Sequence, residues 1–386
     1  MRIHDRDTVA RIMTGDTFDL AVVGAGIVGL AHALVAARRG WRVVVIDRDD
    51  RCVGASIRNF GFISVSGQGA GDTWRRAMRS RDVWAEVAPL VGIPILQRGL
   101  WLTAHRPEAW TVLEAFARTP MGHGCDLVVA ADVGQRAPEL RMDGAVGALH
   151  SPHELRVESR QAVPRLAGWL AEIHGVTFRW GETVLDVTPE GLRTVSGVIK
   201  AARVAVCPGT VLTGVARTWL APFNLGLTQL QMLRVRPPAG FRLTAPVMGD
   251  LSLVRYRAYA DLPESVSLRT RLQIEAGDAL ANGIHLIVVQ SADGTLVVGD
   301  SHHDAVSPLP FASEEVDRII LRHLHETVDL ATCEVVERWT GVYPVGGPSD
   351  ALVVAPDDRV RVVVVTSGTG ASTAFGLAED VFGDWQ

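Results

Sequence analysis

Hydrophobic and polar positions follow two different patterns along the chain. A buried-strand pattern over 18–23 is followed by a glycine-rich turn, a helical run that ends at Arg39, and a second strand over 42–46 that ends at Asp47. This order of elements predicts a β-α-β unit. Near the other end, a strand of β-branched residues over 361–365 leads into a second glycine-rich turn and a final helix. Both ends of the chain therefore predict parallel α/β structure.

The middle of the chain predicts further helices and a second kind of sheet. Apolar residues at helical spacing predict helices over 75–91, 107–117, 158–174 and 313–328, the last with Ser313 as its N-cap. Short strand patterns lie at 99–103, 177–180 and 204–207 and around Val184 and Ile199. Alternating strands then cover 227–236, 251–259, 284–290 and 295–300, which is typical of an antiparallel sheet.

We therefore predict an α/β fold in which a Rossmann-like domain is interrupted by a second, α+β domain with an antiparallel sheet. The first domain takes residues 1–80, 150–218 and 345–386, and the second takes residues 81–149 and 219–344.

Composition and charge argue against several classes of function. The 386 residues are 47% hydrophobic and 21% charged, with a formal net charge of -5, so we expect neither a nucleic-acid partner nor an anionic membrane surface. Four cysteines stand far apart without a Cys-x-x-Cys pair, which favours a reducing compartment. Residues 1–16 lack the apolar core of a secretory signal and predict a short leader. Glycines interrupt the apolar stretch 20–37, so we expect no membrane span and a cytoplasmic protein.

The first glycine-rich turn matches the dinucleotide-binding fingerprint. Gly24 permits the tight turn, Gly26 lets the backbone approach a pyrophosphate, and Gly29 allows close packing of helix on strand. The helix that begins at 27–28 presents its N-terminus to the anion. Asp47 at the end of the next strand would accept hydrogen bonds from ribose hydroxyls and repel a 2'-phosphate, which disfavours NADP.

The fingerprint by itself fits both NAD and FAD. A segment at 54–61, just after the second strand, and a glycine cluster at 368–370, at the far end of the chain, indicate a long cofactor that crosses the domain. That length favours FAD.

From Phe18 to Phe382 the chain resembles the FAD-dependent amine oxidoreductases of the D-amino-acid oxidase, glycine oxidase and sarcosine oxidase family. The resemblance is carried by 22–29, 54–56 with Gly61, 206–209, 339–344 and the terminal glycine loop. More narrowly, a subgroup associated with aminophosphonate utilisation is similar at 58–61, 230–232, 283–286 and 299–302.

The resemblance implies a non-covalent FAD in an extended pose, roofed by the second sheet. There is no cysteine in 337–344, where some relatives tether their flavin; Cys333 is the nearest. The helix after 367 would present its N-terminus to the flavin pyrimidine. The residues expected to contact FAD are Gly24, Gly26, Ile27, Val28, Gly29, Asp47, Arg48, Ala55, Ser56, Arg58, Asn59, Gly61, Val184, Cys207, Pro208, Gly209, Trp339, Gly341, Gly368, Thr369, Gly370, Ser372 and Thr373.

One departure from the family bears on the substrate. Where the amino-acid oxidases carry a Gly-x-Arg-Pro segment whose arginine holds the substrate carboxylate, this chain has Gly341-Val342-Tyr343-Pro344. A tyrosine hydroxyl lacks the charged fork that suits a carboxylate. An ordinary α-amino acid is thereby put in doubt, unless another arginine has taken over that role.

Polar residues of the second sheet are the candidates for substrate contacts. A two-residue turn at Asp293-Gly294 would place His285 opposite His302 and Ile287 opposite Asp300. The two histidines either serve a bound anion or amine or form a hydrogen-bonded pair on a solvated sheet face. The substrate-binding candidates are Arg255, Tyr343, His302, His285, Gln231 and Arg234, with His302 and Tyr343 also the catalytic candidates.

The sequence thus favours oxidation of a C–H bond beside the nitrogen of a small anionic amine, an aminophosphonate such as a 2-aminoethylphosphonate derivative, to an imine that hydrolyses to a carbonyl product. A glycine, sarcosine or D-amino-acid oxidase and a non-catalytic flavin sensor are the alternatives. Lys200, the only lysine, lies on the adenine side, so either O2 or another electron acceptor is expected. His323, His325 and the run 302–304 lack the spacing of a metal site, and we expect no metal.

Overall fold

A computed structural model describes residues 17–385 of the chain. In chain order its strands are β1 (Thr17–Val23), β2 (Val43–Ile46), β3 (Phe62–Ile63), β4 (Ile95–Ala104), β5 (Asp126–Val129), β6 (Gly147–Val157), β7 (Thr177–Arg179), β8 (Val184–Thr188), β9 (Gly191–Thr194), β10 (Gly197–Val206), β11 (Gly226–Arg236), β12 (Val247–Met248), β13 (Ile287–Gln290), β14 (Leu296–Gly299), β15 (His303–Ala305), β16 (Glu334–Val345), β17 (Ala351–Val354) and β18 (Val360–Val365). Its helices are α1 (Ile27–Arg38), α2 (Asp72–Val91), α3 (Pro107–Ala117), α4 (Ala130–Arg136), α5 (Ser159–His174), α6 (Arg217–Leu220), α7 (Asp250–Leu253), α8 (Arg257–Ala260), α9 (Ser265–Glu275), α10 (Gly277–Ala281), α11 (Glu314–Thr327) and α12 (Gly370–Gly383).

The first sheet is the predicted parallel one. Its order is β17-β18-β10-β1-β2-β7, with β9 on β10 and β8 on β9, and β1 runs parallel to both of its neighbours. Val23 at the end of β1 lies level with Ile46 and Val206. The carboxyl ends of these central strands therefore meet at one edge of the sheet, where ligands bind in open α/β sheets.

Helices cover the first sheet because its central strands are apolar on both faces. Leu20 and Val22 face one core and Ala21 the other, all of them fully buried. On the first of these faces α1, α5, α12 and α2 pack together, and Trp84 of α2 donates its indole N–H to the carbonyl of Ala371 in α12 at 2.9 Å. This contact joins α2 to the C-terminal helix α12.

The second sheet is mixed and forms the other layer. Its order is β15-β11-β14-β13-β12-β4-β6-β3, with β16 on β11 and β5 on β6. All pairs are antiparallel except β4 with β12. Two sheets of this kind in one α/β chain confirm the predicted fold class.

The segment 251–259, predicted as a strand, is instead a pair of short helices, α7 and α8. The buried residues Leu251, Val254 and Ala258 recur at intervals of three and four, which is helical spacing rather than alternation. The backbone N–H of Tyr256 donates to the carbonyl of Ser252 at 3.0 Å and so continues the turn. The prediction was wrong because a short apolar run fits both periods.

The predicted hairpin register was wrong by one residue. Ile287 lies opposite Gly299 rather than Asp300. The loop has three residues, because Ser291 donates its N–H to the carbonyl of Thr295 at 2.8 Å and Gly294 adopts a φ of 83°, as in the three-residue hairpins that end in a left-handed residue.

The predicted domain limits cut four elements. The limits at 80/81 and 218/219 fall inside the helices α2 and α6, and those at 149/150 and 344/345 fall inside β6 and β16, two strands of the second sheet. The division into two domains otherwise stays a prediction, and the predicted leader at 1–16 lies outside the described residues. No helix within 17–385 combines the length and apolar character needed to cross a membrane.

Glycines at the ends of these elements give a direct test of the fold. In Gly24→Ala the new Cβ would lie 2.3 Å from the carbonyl oxygen of Cys207, at a φ of +103°. In the control, Gly40→Ala, φ is +78° and no heavy atom lies within 4 Å. Both variants carry the strain of a left-handed residue, about 1–3 kcal/mol, and only the first adds a backbone collision.

We therefore predict that Gly24→Ala lowers the free energy of unfolding of the apoprotein by at least about 2 kcal/mol more than Gly40→Ala. Urea unfolding followed by circular dichroism measures the difference. Equal losses for the two variants would contradict the close approach of the first turn to the end of β10.

Candidate functional site

A cleft of about 400 Å³ lies between the two sheets. From the first sheet it receives the N-termini of α1 and α12, and from the second it receives side chains of β16, of the α7–α8 turn and of the ends of β13 and β14. Its lining combines polar and apolar residues, as in many cofactor sites.

The N-terminus of α1 lines this cleft. Its N-cap, Gly26, offers no side chain to cap the helix. The hydroxyl of Ser56 accepts the N–H of Ile27 at 2.9 Å, and a Cβ on Gly26 would approach that hydroxyl to 3.1 Å. The cradle is thus closed to any side chain and suits a phosphate group.

Asp47 supports the glycine turn from behind. Its carboxylate accepts the backbone N–H of Ala25 at 2.7 Å and that of Asp49 at 3.0 Å. These bonds fix the turn to the end of β2. The predicted contact of Asp47 with a ribose stays a prediction, since the carboxylate lies beside the cleft rather than in its lining.

The N-terminus of α12 lines the same cleft close to that of α1, because a Cβ on Gly370 would lie 3.6 Å from Cγ2 of Ile27. Its N-cap, Thr369, makes no side-chain capping bond to the helix, and its hydroxyl lies 2.7 Å from that of Ser367. Gly368 has a φ of +72°, and a Cβ there would lie 2.7 Å from the ring of Tyr343. The glycine is therefore required for the tyrosine to pack against the loop.

Two helix N-termini on one cleft fit a cofactor that carries a phosphate group at one position and gains negative charge at another. The cleft is lined by fifteen of the residues predicted to contact the cofactor: Gly26, Ile27, Val28, Gly29, Ala55, Ser56, Arg58, Asn59, Cys207, Gly209, Gly341, Gly368, Thr369, Gly370 and Ser372.

The remaining predicted cofactor residues lie outside the lining. Two of them are glycines that lie against a neighbouring backbone: a Cβ on Gly24 would collide with the carbonyl of Cys207, and a Cβ on Gly61 would collide with that of Val157. Trp339 donates its indole N–H to the carbonyl of Arg58 at 3.2 Å. The others are Asp47, Arg48, which is exposed and pairs with Asp49, Val184, Pro208 and Thr373.

The substrate end of the cleft holds a buried cluster of His285, Asp300 and His302. Nδ1 of His285 lies 3.3 Å from Oδ1 of Asp300, and Nε2 of His302 lies 3.8 Å from Oδ2. The hydroxyl of Tyr256 lies 3.2 Å from Nε2 of His285. The structure thus brings both predicted histidines together, although the hairpin register that predicted it was wrong.

Burial dominates the electrostatics of this cluster. Desolvation lowers the pKa of both His285 and His302 well below the ordinary value, so both rings are neutral. Desolvation raises the pKa of Asp300 to about 7, against a smaller lowering by the charge of Arg255. One ligand atom of each cluster member lies within 4.8 Å of the others, a spacing that suits a bound cation.

Arg255 supplies positive charge to the same end of the cleft. It stands in the turn between α7 and α8, is exposed to the cleft, and has no carboxylate within salt-bridge distance in residues 17–385. Two other arginines of the lining are already engaged. Arg58 donates to the carbonyl of Val53 at 2.8 Å, and Arg257 pairs with Asp261 and Asp350.

Gln231 and Arg234 lie outside the cleft, in contrast to the prediction. Leu230 of β11 lines the cleft, so the next residue, Gln231, points to the opposite face, where its amide accepts the N–H of Ser313 at 2.9 Å. Arg234 is four residues beyond Leu230 along β11, which places it about 13 Å from Leu230. It pairs there with Glu337 at 3.3 Å.

Several cleft residues were missed from the sequence. Tyr256 follows Arg255 directly, and its ring lies 3.0 Å from where a Cβ on Gly67 would be. The segment 67–69 and Asp350 also line the cleft. The Gly67-Gln68-Gly69 run was the one available signal, since two glycines so close together indicate a close approach of other groups.

Comparison with known proteins places the chain in a family. The sequence model of the family described as "FAD dependent oxidoreductase" matches residues 19–382. Among curated proteins, a "Bifunctional protein ThiO/ThiG" of Nostoc sp. is 27% identical over 234 residues, which cover 58% of this chain and 35% of that protein. The chain thus spans about a third of the length of such a relative.

Solved structures share the fold. Glycine oxidase from Bacillus cereus superposes with a TM-score of 0.77 at 15% identity, covering 96% of this chain and 97% of the other. L-proline dehydrogenase from P. horikoshii gives 0.77 at 16%, covering 94% and 92%. Iminodiacetate oxidase from Chelativorans sp. gives 0.71 at 18%, covering 94% and 95%.

The raised pKa of Asp300 predicts a stability that falls with pH. The folded protein binds a proton at Asp300 up to about pH 7, whereas the unfolded chain releases it near its ordinary value of 3.8. Each unit by which the pH rises between these values therefore lowers the free energy of unfolding of the wild type by up to about 1.4 kcal/mol relative to that of Asp300→Asn.

We predict that Asp300→Asn is stabilised relative to wild type as pH rises from about 5 to about 8, in urea unfolding of the apoprotein. The neutral histidines are present in both proteins, so the difference isolates Asp300. A difference between the two proteins that does not change with pH would contradict the burial of a carboxyl group at this position.

Proposed function

Because the chain belongs to the family of FAD-dependent oxidoreductases, we propose that it oxidises the C–H bond beside the nitrogen of a small anionic amine, of the aminophosphonate class. The flavin sensor considered from the sequence is set aside, since the family is one of enzymes. The observation that carries the proposal is Arg255, a guanidinium that lines the cleft beside Tyr343 and has no carboxylate partner within residues 17–385.

The residues of the cleft fit FAD. The N–H of Val28 at the N-terminus of α1 would hold the pyrophosphate together with the hydroxyl of Ser56, which accepts the N–H of Ile27 and can donate its own proton. The N-terminus of α12 would face the flavin pyrimidine. When bound, FAD supplies the acceptor for the hydride. The protein groups bind the amine, orient it and exclude water.

A tetrahedral anion suits the groups at the substrate end. Arg255 offers a planar fork of N–H donors, and Tyr343, whose pKa burial raises to about 12, stays protonated and offers one O–H donor. The substitution of tyrosine for the arginine of the Gly-x-Arg-Pro segment moves the positive charge from β16 to the α7–α8 turn. A phosphonate with three oxygens would use the separated donors.

A second function is favoured by the same arginine. If Arg255 has replaced the missing arginine as the carboxylate clamp, the substrate would be glycine, sarcosine or a D-amino acid. The fold shared with a glycine oxidase is compatible with this alternative. The two functions differ in the anion that the enzyme prefers.

The electron acceptor is proposed to be O2 or another small oxidant. Lys200, considered for the assistance of oxygen reduction, lies on β10 opposite Thr17 and is exposed, outside the lining of the cleft. No lysine therefore stands in the described cleft, and the positive charge nearest the substrate is that of Arg255.

Anaerobic bleaching of the bound flavin tests the proposal. We predict that 2-aminoethylphosphonate, with its N-methyl or 1-hydroxy derivative, reduces the flavin at least about 100-fold more efficiently than glycine, sarcosine or D-amino acids do, because an anion suited to the site contributes about 3 kcal/mol. Bleaching by the amino acids alone would contradict the phosphonate class and support the second function.

Loss of Arg255 tests the anion site. We predict that Arg255→Met, which keeps the alkyl stem, weakens binding of the amine substrate about 10- to 100-fold, the usual cost of a lost charge-assisted hydrogen bond. Arg318→Met is the control, because Arg318 is exposed on α11 and pairs with Glu315. Equal dissociation constants for wild type and Arg255→Met, from titration of the flavin spectrum, would contradict the assignment.

A further inference from the structure

We propose that Asp300 accepts the proton of the substrate ammonium group, so that the cleft is built for a zwitterion: Arg255 for the anionic end and Asp300 for the cationic end. The inference rests on the proposed function and deepens it. The sequence places Asp300 with the two histidines among the polar groups of the second sheet, and the structure makes it the central group of the buried cluster.

The hydrogen bonds of His302 leave the carboxylate without a donor on one side. Nδ1 of His302 lies 3.0 Å from the carbonyl oxygen of Gly283, which can only accept, so the neutral ring carries its proton on Nδ1. Its Nε2 lone pair then faces Oδ2 of Asp300 at 3.8 Å. Two acceptors therefore face one another there, with no hydrogen bond between them.

His285 does not satisfy the other oxygen. Its Nδ1 lies 3.3 Å from Oδ1 of Asp300, yet neither atom has a hydrogen-bond partner of acceptable geometry in residues 17–385. Asp300 is 5% exposed. A buried carboxylate oxygen without a donor is costly and calls for a missing partner. An ammonium group in the cleft would supply that donor.

The charges around Asp300 favour proton transfer once the substrate is bound. The titratable groups that face it are His285, His302, Tyr256, Tyr343 and Arg255. The histidines and tyrosines are neutral, which leaves Arg255 as the one charge of this set that stabilises the carboxylate. A substrate anion bound to Arg255 would neutralise that charge and raise the affinity of Asp300 for a proton.

The step balances without a further reactant. One N–H bond of the ammonium breaks, its electron pair stays on nitrogen as the lone pair, and the proton forms an O–H bond with Asp300. The lone pair then assists departure of the hydride from the adjacent carbon, with FAD as the oxidant. The proton leaves Asp300 for solvent when the product departs.

The same three side chains could instead hold a divalent cation, because each presents a ligand atom. Metal content therefore forms part of the test. About one equivalent of bound metal in the purified holoenzyme, together with loss of flavin reduction after chelation, would overturn the proton-acceptor assignment.

The test is the pH dependence of anaerobic flavin reduction by 2-aminoethylphosphonate and by its N-methyl derivative, over roughly pH 5.5 to 10. In the wild type we expect the rate constant divided by the dissociation constant to show an acid limb near the pKa of Asp300, about 7, at the same position for both substrates. In Asp300→Asn that limb disappears, and the rate at neutral pH falls at least about 100-fold.

Asp304→Asn is the matched control, since Asp304 is exposed on β15 four positions further on and should leave the profile unchanged. Asp300→Asn could fail to fold, so the wild-type enzyme provides a second test. If its acid limb moves with the amine pKa of the substrate and no limb lies near neutrality, the inference is overturned. Reduction that is unchanged in Asp300→Asn also overturns it.

The wild-type enzyme distinguishes failure of the proposed function from failure of this inference. If no amine on the panel reduces the wild-type flavin, the proposed function is wrong and the inference falls with it. If amines reduce the wild type but the acid limb near neutrality is absent, the inference alone is wrong and the proposed function stands.

Discussion

The parallel register of the central strands is the constraint on which the rest of the structure depends. Because β1 lies between β2 and β10 with Val23 level with Ile46 and Val206, the chain must turn at one edge after each strand. The turn after β1 passes so close to Cys207 that only glycine fits at position 24. That turn delivers the uncapped N-terminus of α1 to the cleft, and the loop after β18 delivers α12 in the same way.

The second sheet adds what the first cannot supply, which is a small number of charges in a largely desolvated space. Arg255 has no carboxylate partner in the described part of the chain, whereas Asp300 is buried between neutral histidines. A folded protein pays free energy to hold a carboxyl group in that environment. Such a destabilised arrangement is typical of functional sites, and it gives the cleft one position for each sign of charge.

Local backbone requirements made the cofactor half of the site predictable from the sequence. The glycines at 24, 26 and 29 follow from steric demands within a few residues of one another, and most of the predicted cofactor residues do line the cleft. The helix at 107–117 was predicted to the residue, because Pro107 marks its start and apolar residues recur at helical spacing.

The substrate half depends on contacts between distant segments, which the sequence does not display. A single extra loop residue shifted the hairpin register, and alternation along β11 turned Gln231 away from the cleft. Tyr256 approaches His285 and Gly67 only because α7 and α8 replace the predicted strand. The clustering of Asp300 with two histidines is likewise a product of tertiary structure.

The central claim is that one cleft binds both ends of a zwitterion. A crystal structure of the FAD-loaded protein with 2-aminoethylphosphonate, held under anaerobic and slightly acidic conditions so that turnover is slow, tests it most directly. The account predicts phosphonate oxygens within about 3.2 Å of the Arg255 guanidinium and the nitrogen within about 3.2 Å of an Asp300 carboxylate oxygen. A phosphonate bound at Arg58 or at a helix N-terminus, with the nitrogen remote from Asp300, would contradict it.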